Sequence, residues 1–159
     1  FKHKFLKVEF NPDYIARPND LFAAYELMKT QELNLNNFLN AHAIITKNIL
    51  PKSQQGLLRN SPMVVMNGEG KIEYVATDPS LVKSEINKLF HDIDMLLSMD
   101  LDEYEVLYYS AQIHFWFVKI HPFYDGNGRA GRLLEKWFLV AHFKSITSDA
   151  VGFLEGVAL

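Results

Sequence analysis

Apolar residues recur every three or four positions through most of this chain, and this helical period constrains the fold more than any other feature. The clearest run starts at Val82 and continues to about Met99. Spacing of this kind places the apolar side chains on one face of a helix, where they can pack into a core. Four further runs share the period: residues 20–30, 35–49, 103–120 and 129–141. The pattern predicts an all-α domain.

Capping residues predict where individual helices begin and end. Asp78 followed by Pro79 indicates a helix start, with Asp as the N-cap and Pro at the first helical position. Asp102 with Glu105 forms a potential capping box for the next helix. Pro51 is predicted to end the second helix, because proline cannot continue it.

The two ends of the chain do not share the helical pattern. Leu6, Val8 and Phe10 alternate with polar residues, which predicts a short strand, and Pro18-Asn19 predicts a turn. Three segments are therefore expected: an N-terminal extension over residues 1–19, a core domain over residues 20–142, and a C-terminal tail over residues 143–159.

A β-hairpin is predicted inside the helical domain. Two short apolar runs, residues 63–66 and 71–75, flank the glycine-rich turn Asn67-Gly68-Glu69-Gly70. The rest of the domain is predicted to be helical, so no sheet would cover the edges of this hairpin. An exposed edge can bind an extended segment of another protein by strand addition. The alternative is a hairpin that only packs on the helices.

Composition excludes several classes of function. Lys and Arg number 16 and Asp and Glu 19, giving a net charge of −3, so the chain has no global field for nucleic acid or an anionic membrane. Cysteine is absent, which removes disulfide scaffolds, thiolate zinc sites and cysteine nucleophiles. No apolar run approaches the roughly 18 residues of a membrane span. We expect a cytoplasmic protein that requires neither nucleic acid nor a membrane.

Residues 121–132, His-Pro-Phe-Tyr-Asp-Gly-Asn-Gly-Arg-Ala-Gly-Arg, concentrate groups that bind anions. Gly126 and Gly128 let backbone N–H groups approach a ligand, and they precede a helix N-terminus that favours negative charge. Arg129 and Arg132 are three residues apart, so on a helix both guanidinium groups project from one face.

Three further side chains of this segment supply the remaining chemistry. Asp125 offers a hard oxygen that suits Mg²⁺ beside substrate phosphates, and Asn127 can donate to a phosphate oxygen without adding charge. His121, with an ordinary pKa of about 6.5, can accept a proton at neutral pH. A phosphoryl- or nucleotidyl-transfer site is therefore predicted. The alternative, a purely structural loop, has no need of this mixture of charges.

The same segment resembles the signature of the Fic family, His-x-Phe-x-(Asp/Glu)-Gly-Asn-Gly-Arg-x-x-Arg, at every specified position. Gly56-Leu57-Leu58-Arg59 is similar to the Gly-x-x-Arg segment that precedes the target-binding flap of the family. The predicted hairpin lies where the family places that flap. The resemblance covers about residues 20–142, and it implies a Fic-type helical domain with one β-hairpin flap.

Fic domains, members of the Fic/Doc superfamily, typically transfer AMP from ATP to a hydroxyl side chain of a target protein. The resemblance thus implies a protein adenylyltransferase acting on Ser, Thr or Tyr, with Mg²⁺ as cofactor, and the same site could also remove AMP. The alternative is a non-catalytic nucleotide-binding interaction module. The presence of a base at His121 favours the enzyme.

The resemblance also implies a role for each signature residue. His121 would deprotonate the target hydroxyl, Asp125 would bind Mg²⁺, and Phe123 would anchor the loop in the core. The triphosphate would be held by five residues: Gly126, Asn127 and Gly128 as an anion hole, Arg129 at the β-phosphate and Arg132 at the γ-phosphate. A target protein would bind the flap residues Met63, Val64, Val65, Met66, Lys71, Ile72, Glu73 and Tyr74.

One element found in many Fic proteins has no match here. The inhibitory helix (Ser/Thr)-x-x-x-Glu-(Gly/Asn) requires a hydroxyl residue four positions before its glutamate, and no glutamate of this chain has one. The nearest approach is Val151 before Glu155-Gly156. We expect the restraint to come from a partner or a segment outside this chain, or to be absent.

The remaining candidates are weaker. His42 and His114 lie on apolar helix faces, where a histidine is usually a core or wall residue with satisfied hydrogen bonds. Aromatic residues at helical spacing are likewise more often core than ligand-binding. Four of them could instead form the wall of an adenine pocket: Tyr108, Tyr109, Trp116 and Trp137.

Overall fold

A computed structural model describes residues 13–143, and within them the chain forms five helices and one antiparallel hairpin. The elements follow in the order α1 (Asp13–Thr30), α2 (Leu35–Thr46), β1 (Val64–Met66), β2 (Ile72–Val75), α3 (Pro79–Ser98), α4 (Glu103–Ile120) and α5 (Asn127–Phe143). The predicted helical architecture with a single hairpin is confirmed. The strand predicted at residues 6–10 and the tail after residue 143 lie outside the described residues.

Helix α5 is central to the domain. It packs against each of the other four helices, and it buries Leu133, Leu134, Trp137 and Phe138 almost completely. The indole Nε1 of Trp137 donates to the carbonyl of Gln31 at 3.3 Å. Because α5 begins at Asn127, inside the signature segment, the core fixes the position of the helix end at which an anion would bind. No helix within residues 13–143 is both long and apolar enough to cross a lipid bilayer.

The predicted helix caps are confirmed. The Ser80 backbone N–H donates to Asp78 Oδ1 at 2.9 Å, and Pro79 is the first residue of α3. Asp102 and Glu105 form a reciprocal capping box at the start of α4, with bonds of 2.8 and 2.9 Å. These ends are encoded locally, since each cap bonds a backbone group two or three residues away.

The turn predicted at Pro18-Asn19 is wrong, because α1 passes through Pro18. Proline removes one backbone hydrogen bond from the helix. The packing of α1 on α2 compensates for that loss, with Ala24 and Met28 buried in the core. The helix also continues beyond the predicted start at Asp20, back to Asp13.

The second helix is shorter than predicted. It ends at Thr46 rather than near Pro51. The Lys47 N–H bonds to the carbonyl of Ile44, three residues back, and the Leu50 N–H bonds to that of Thr46. The Ile49 N–H likewise bonds to the Thr46 carbonyl three residues back, so the chain tightens into turns here, where three-residue bonds interrupt the regular four-residue pattern.

The hairpin forms within one residue of its predicted limits. Val64 lies opposite Val75, and Val65 lies opposite Tyr74, with an irregularity between Val65 and Met66. At the turn, Asn67 Oδ1 accepts two backbone N–H groups at 2.9 and 3.0 Å. No third strand joins this sheet within residues 13–143, so both edges lack a strand partner there.

His42 attaches the loop between α4 and α5 to α2. Its side chain is fully buried, and its ring stacks on Phe123 with centroids 3.5 Å apart. Nδ1 accepts the Gly56 N–H at 3.0 Å, which leaves Nε2–H to donate to the carbonyl of Asp125 at 2.8 Å. The expectation of a satisfied core histidine is confirmed. Burial, opposed by the Asp125 hydrogen bond, lowers the pKa of His42 to about 4.

This depressed pKa predicts that stability falls as the pH is lowered. The unfolded chain binds a proton at His42 near pH 6.5, whereas the folded chain does so only near pH 4. The contribution of neutral His42 to the free energy of unfolding is therefore complete above pH 6.5. It is lost progressively down to about pH 4, for a total of about 3 kcal/mol. Urea unfolding between pH 7 and 4 measures the slope.

The His42→Gln variant should show a shallower slope than the wild type, because a carboxamide does not titrate in this range. His91 is exposed on α3, so His91→Gln is the matched control and should keep the wild-type slope. Equal slopes in the His42→Gln variant and the wild type would contradict the assignment.

Candidate active site

The signature segment folds into one cleft at the start of α5. The cleft has a volume of about 330 Å³. It brings together every signature residue to which chemistry was assigned, and it adds Tyr124. Its lining consists of His121, Tyr124, Asp125, Gly126, Asn127, Gly128, Arg129 and Arg132.

The two glycines of the loop serve different purposes. Gly126 has a φ of +80°, and a Cβ there would lie 2.8 Å from Thr46 Cγ2, so the fold itself requires glycine. At Gly128 a Cβ would meet only Arg132 Nη1, at 3.8 Å. Gly128 is also exposed. The packing of the protein therefore does not explain glycine at this position, whereas the close approach of a ligand to the backbone would.

The N-terminus of α5 presents free backbone donors. The first intrahelical bond is donated by the Ala130 N–H to the carbonyl of Gly126 at 2.9 Å. The N–H groups of Asn127, Gly128 and Arg129 precede it and have no acceptor within the helix. Together with the helix dipole they form an anion-binding site.

Two arginines add positive charge to this helix end. Neither Arg129 nor Arg132 forms an ion pair with a carboxylate among the described side chains, residues 17–143. Burial lowers the pKa of Arg129, and the nearby cations Arg17 and Arg132 act in the same direction against the opposing charge of Asp125. A cluster of like charges without carboxylate partners attracts an anion such as a phosphate.

The Asn127 side chain does not face a ligand as expected. It is 4% exposed, its Oδ1 accepts the Phe123 N–H, and its Nδ2 donates to the Phe123 carbonyl, both at 2.9 Å. A carboxamide can satisfy both backbone groups of one residue, and here this closes the loop. The group that Asn127 offers to a phosphate is therefore its backbone N–H.

Asp125 is the candidate metal ligand. Its carboxylate is exposed in the cleft, and Oδ1 accepts the backbone N–H of Gly126. Among the side chains that the structure describes, residues 17–143, no group of three or more His, Asp or Glu could hold a metal. A single carboxylate beside an anion site fits Mg²⁺, which commonly takes one or two carboxylates and obtains its other ligands from phosphates and water.

His121 lies at the junction of α4 and the loop. It is the C-cap of α4 with φ +50°, and its N–H bonds to the carbonyl of Phe117 at 2.9 Å. Tyr74 Oη donates to the carbonyl of Val118 at 2.9 Å and lies 3.4 Å from His121 Nδ1. Because the Tyr74 hydroxyl proton is directed at Val118, its oxygen can only accept from His121 Nδ1. This geometry assigns the ring proton to Nδ1 and leaves Nε2 as a base.

The protonation state of His121 suits this function. Burial is the largest effect and lowers the pKa of the imidazole, while the Val118 carbonyl opposes it and the positive charge of Arg59 reinforces it. The ring is consequently neutral at pH 7. A neutral imidazole with a free Nε2 can accept a proton from a hydroxyl group.

Sequence reasoning missed two contributors to the site. Tyr124 occupies an unspecified position of the signature, yet its hydroxyl donates to Asn60 Oδ1 at 2.7 Å and its side chain lines the cleft. The guanidinium of Arg59 bonds the backbone carbonyl of His121 at 2.7 Å. Only the Gly-x-x-Arg resemblance pointed to Arg59, and it indicated no contact.

The aromatic candidates for an adenine wall lie elsewhere. Trp137 is in the core. Tyr108, Tyr109 and Trp116 line a separate groove beside α3 and α4. None of the four lines the cleft. His114 is a wall histidine as expected, and its Nδ1 lies 2.8 Å from Glu135 Oε2.

Known proteins share sequence and fold with this chain. A protein adenylyltransferase Fic from Nematostella vectensis is 27% identical over 108 residues, which are 68% of this chain and 23% of that protein. The crystal structure of a Fic family protein from Desulfovibrio desulfuricans G20 matches with a TM-score of 0.70 and 26% identity, over 84% of this chain and 38% of that one. The chain thus spans about a quarter and about two fifths of their lengths.

More distant structures share the fold. BepC from Bartonella tribocorum, solved with bound AMPPNP, matches with a TM-score of 0.61 and 17% identity, over 90% of this chain and 77% of that one. At this identity the likeness concerns the fold alone. The sequence model of the Fic/DOC family matches residues 32–139. Because that match covers well over half of the sequence, the chain belongs to the Fic/DOC family.

Proposed function

We propose that this chain is the catalytic domain of a protein adenylyltransferase, which transfers AMP from ATP to a Ser, Thr or Tyr hydroxyl of a target protein. The observation that carries the proposal is the cleft itself. A neutral imidazole, an exposed carboxylate and a cationic helix N-terminus share one cavity of about 330 Å³. The adenylyltransferase from Nematostella vectensis supports the direction of the reaction.

The triphosphate of ATP would bind at the start of α5. The backbone N–H groups of residues 127–129 would surround phosphate oxygens, and Arg129 and Arg132 would neutralise the outer phosphates. BepC shares the fold and was solved with the ATP analogue AMPPNP, which supports ATP as the nucleotide. Asp125 would hold Mg²⁺, which when bound offsets the charge of the phosphates.

A cytoplasmic location would supply ATP and agrees with the absence of cysteine.

His121 would act on the target hydroxyl. Its Nε2 accepts the hydroxyl proton as the hydroxyl oxygen attacks the α-phosphorus of ATP. The bond from that phosphorus to the oxygen bridging the α- and β-phosphates breaks, and diphosphate leaves with the electron pair. The Val118 carbonyl, which raises the pKa of the His121 imidazole, favours the imidazolium that results. General-base catalysis of this kind contributes typically about 10²–10⁴-fold to the rate.

The flap would bind the target as an added strand. The Ala76 N–H donates to the carbonyl of Met63 at 3.0 Å, so Met63 and Ala76 form a hydrogen-bonded pair. Such pairs alternate with non-hydrogen-bonded pairs in an antiparallel hairpin. The backbone N–H and C=O groups of the next pair, Val64 and Val75, therefore point away from the partner strand. Both residues are exposed. A restraining partner or segment, if one exists, would act from outside this chain.

His121→Ala is expected to abolish transfer while nucleotide affinity stays near that of the wild type, because the base acts on the hydroxyl and not on the phosphates. Incubation with α-labelled ATP, Mg²⁺ and cell lysate measures transfer, and calorimetry measures ATP binding. Binding without label by the wild type would identify a nucleotide-binding module instead. A matching loss of ATP affinity in the variant would assign His121 a structural role.

Gly128→Ala is expected to fold normally but to bind ATP at least about tenfold more weakly, because a methyl group would occupy the space where backbone approaches phosphate. Thermal unfolding and ATP titration test the two halves of this expectation. Gly68→Ala is the matched control, since a Cβ there meets nothing within 4 Å and lies in the flap turn, away from the cleft. Wild-type ATP affinity in Gly128→Ala would place the triphosphate elsewhere.

Proline substitutions at the two strand edges should distinguish which edge the target uses. Val64→Pro and Val75→Pro each remove one outward-pointing N–H and leave the pairing of Val65 with Tyr74 intact. One variant should lose target labelling and retain ATP binding, while the other serves as its control. If both variants label the target as the wild type does, the target does not bind by strand addition.

A further inference from the structure

Side chains from the flap and its flanks cap the C-terminus of α4. A helix leaves its last carbonyl groups without intrahelical donors. In α4 the carbonyl of Val118 accepts from Tyr74 Oη at 2.9 Å, and that of Lys119 accepts from Thr77 Oγ1 at 3.4 Å. Every such donor lies within residues 59–77, so this segment holds the helix end from which His121 projects.

Arg59 bonds the last carbonyl group of α4 and the two that follow it. Its residue is 2% exposed. Nη2 donates to the carbonyl of Ile120 at 3.2 Å, and Nε donates to that of His121 at 2.7 Å. The Arg59 backbone N–H donates to the carbonyl of Pro122 at 2.8 Å. One residue thus bonds three consecutive carbonyl groups around the proposed base.

The same guanidinium also joins the two ends of the flap. Nη1 donates to the carbonyl of Ser61 at 2.7 Å, before β1, and Nη2 donates to that of Thr77 at 2.6 Å, after β2. Four carbonyl groups from two separate parts of the chain therefore meet at one rigid, planar cation. Lysine has a single nitrogen and cannot reproduce this geometry.

No described carboxylate lies within 4 Å of this cation. Its charge is instead balanced by carbonyl oxygens, by the negative end of the α4 dipole and, from beyond contact distance, by Asp78. A buried arginine bonded only to backbone determines where those backbone segments lie relative to one another.

We propose that Arg59 is a positioning residue for the transfer reaction: it fixes the backbone of His121 and both ends of the flap as one unit, so that a target held by the flap meets the base in register. This inference rests on the proposed function. The phosphate-binding end of the cleft is attached separately, through His42 and the Asp125 carbonyl. Loss of Arg59 should therefore impair transfer much more than ATP binding.

The experiment compares Arg59→Met and Arg59→Lys with a packing control. Misplacement of reacting groups by about 1 Å costs roughly 100-fold in rate. We expect Arg59→Met to lower kcat by about that factor and to raise KM for the target, with the Kd for ATP within about twofold of the wild type. The kcat of Arg59→Lys should lie between those of the wild type and Arg59→Met, because lysine keeps the positive charge but not the forked set of N–H donors.

Ile93→Ala is the packing control. Ile93 is buried on α3 and takes no part in the cleft, so its truncation lowers stability without touching the base. Measured below the unfolding temperature of each variant, Ile93→Ala should retain wild-type kcat. If both Arg59 variants keep a kcat as close to the wild-type value as that of Ile93→Ala, Arg59 is merely structural and the proposal is overturned.

A second readout does not depend on activity. Nitrogen NMR of the His121 imidazole reports its tautomer, and amide hydrogen exchange reports the protection of residues 61–77. Both variants should lose the Nδ1–H signal and expose flap amides, with Arg59→Lys deciding the outcome if Arg59→Met does not fold. Unchanged signals would overturn the proposal. A wild type that labels no protein would defeat the proposed function alone, and these NMR and exchange measurements would still decide the role of Arg59.

Discussion

The loop between α4 and α5 is held at each end by one buried side chain that bonds its backbone. Arg59 holds the carbonyl of His121, and His42 holds the carbonyl of Asp125. Between them Asn127 closes the loop onto Phe123. Because these anchors use backbone carbonyl groups, the carbonyls turn towards the protein, and the side chains of His121 and Asp125 are left for a ligand.

This arrangement separates satisfied from unsatisfied polar groups. Among the described residues no buried side-chain nitrogen or oxygen lacks a hydrogen-bond partner. In the cleft, by contrast, exposed Arg132 has no carboxylate partner among the side chains of residues 17–143. Unused hydrogen-bonding capacity therefore remains at the N-terminus of α5, where it favours a ligand rich in negative oxygen atoms.

Features encoded by neighbouring residues could be predicted from the sequence. The caps at Asp78 and Asp102 and the hairpin limits are of this kind, because each depends on bonds over a few positions. Pro18 was misread because the packing of α1, which residue spacing does not show, keeps the helix intact.

The composition of the site was also predictable, since twelve consecutive residues supply its chemistry. The residues that hold the site in position could not be predicted. Arg59 acts on residues about sixty positions away, and burial of an arginine runs against its usual surface preference. The Asn127 side chain was assigned to a ligand because its bonds to Phe123 depend on a loop conformation that residue types alone do not specify.

The left-handed backbone at His121 sets protein stability against catalysis at a single position. With φ at +50°, it occupies a conformation in which glycine is favoured at the ends of helices, and a non-glycine residue there costs on the order of 1 kcal/mol. Selection for thermostability alone would therefore favour glycine at this site and would remove the imidazole. Libraries derived from this domain and screened by melting temperature should accumulate inactive members at this position ahead of others.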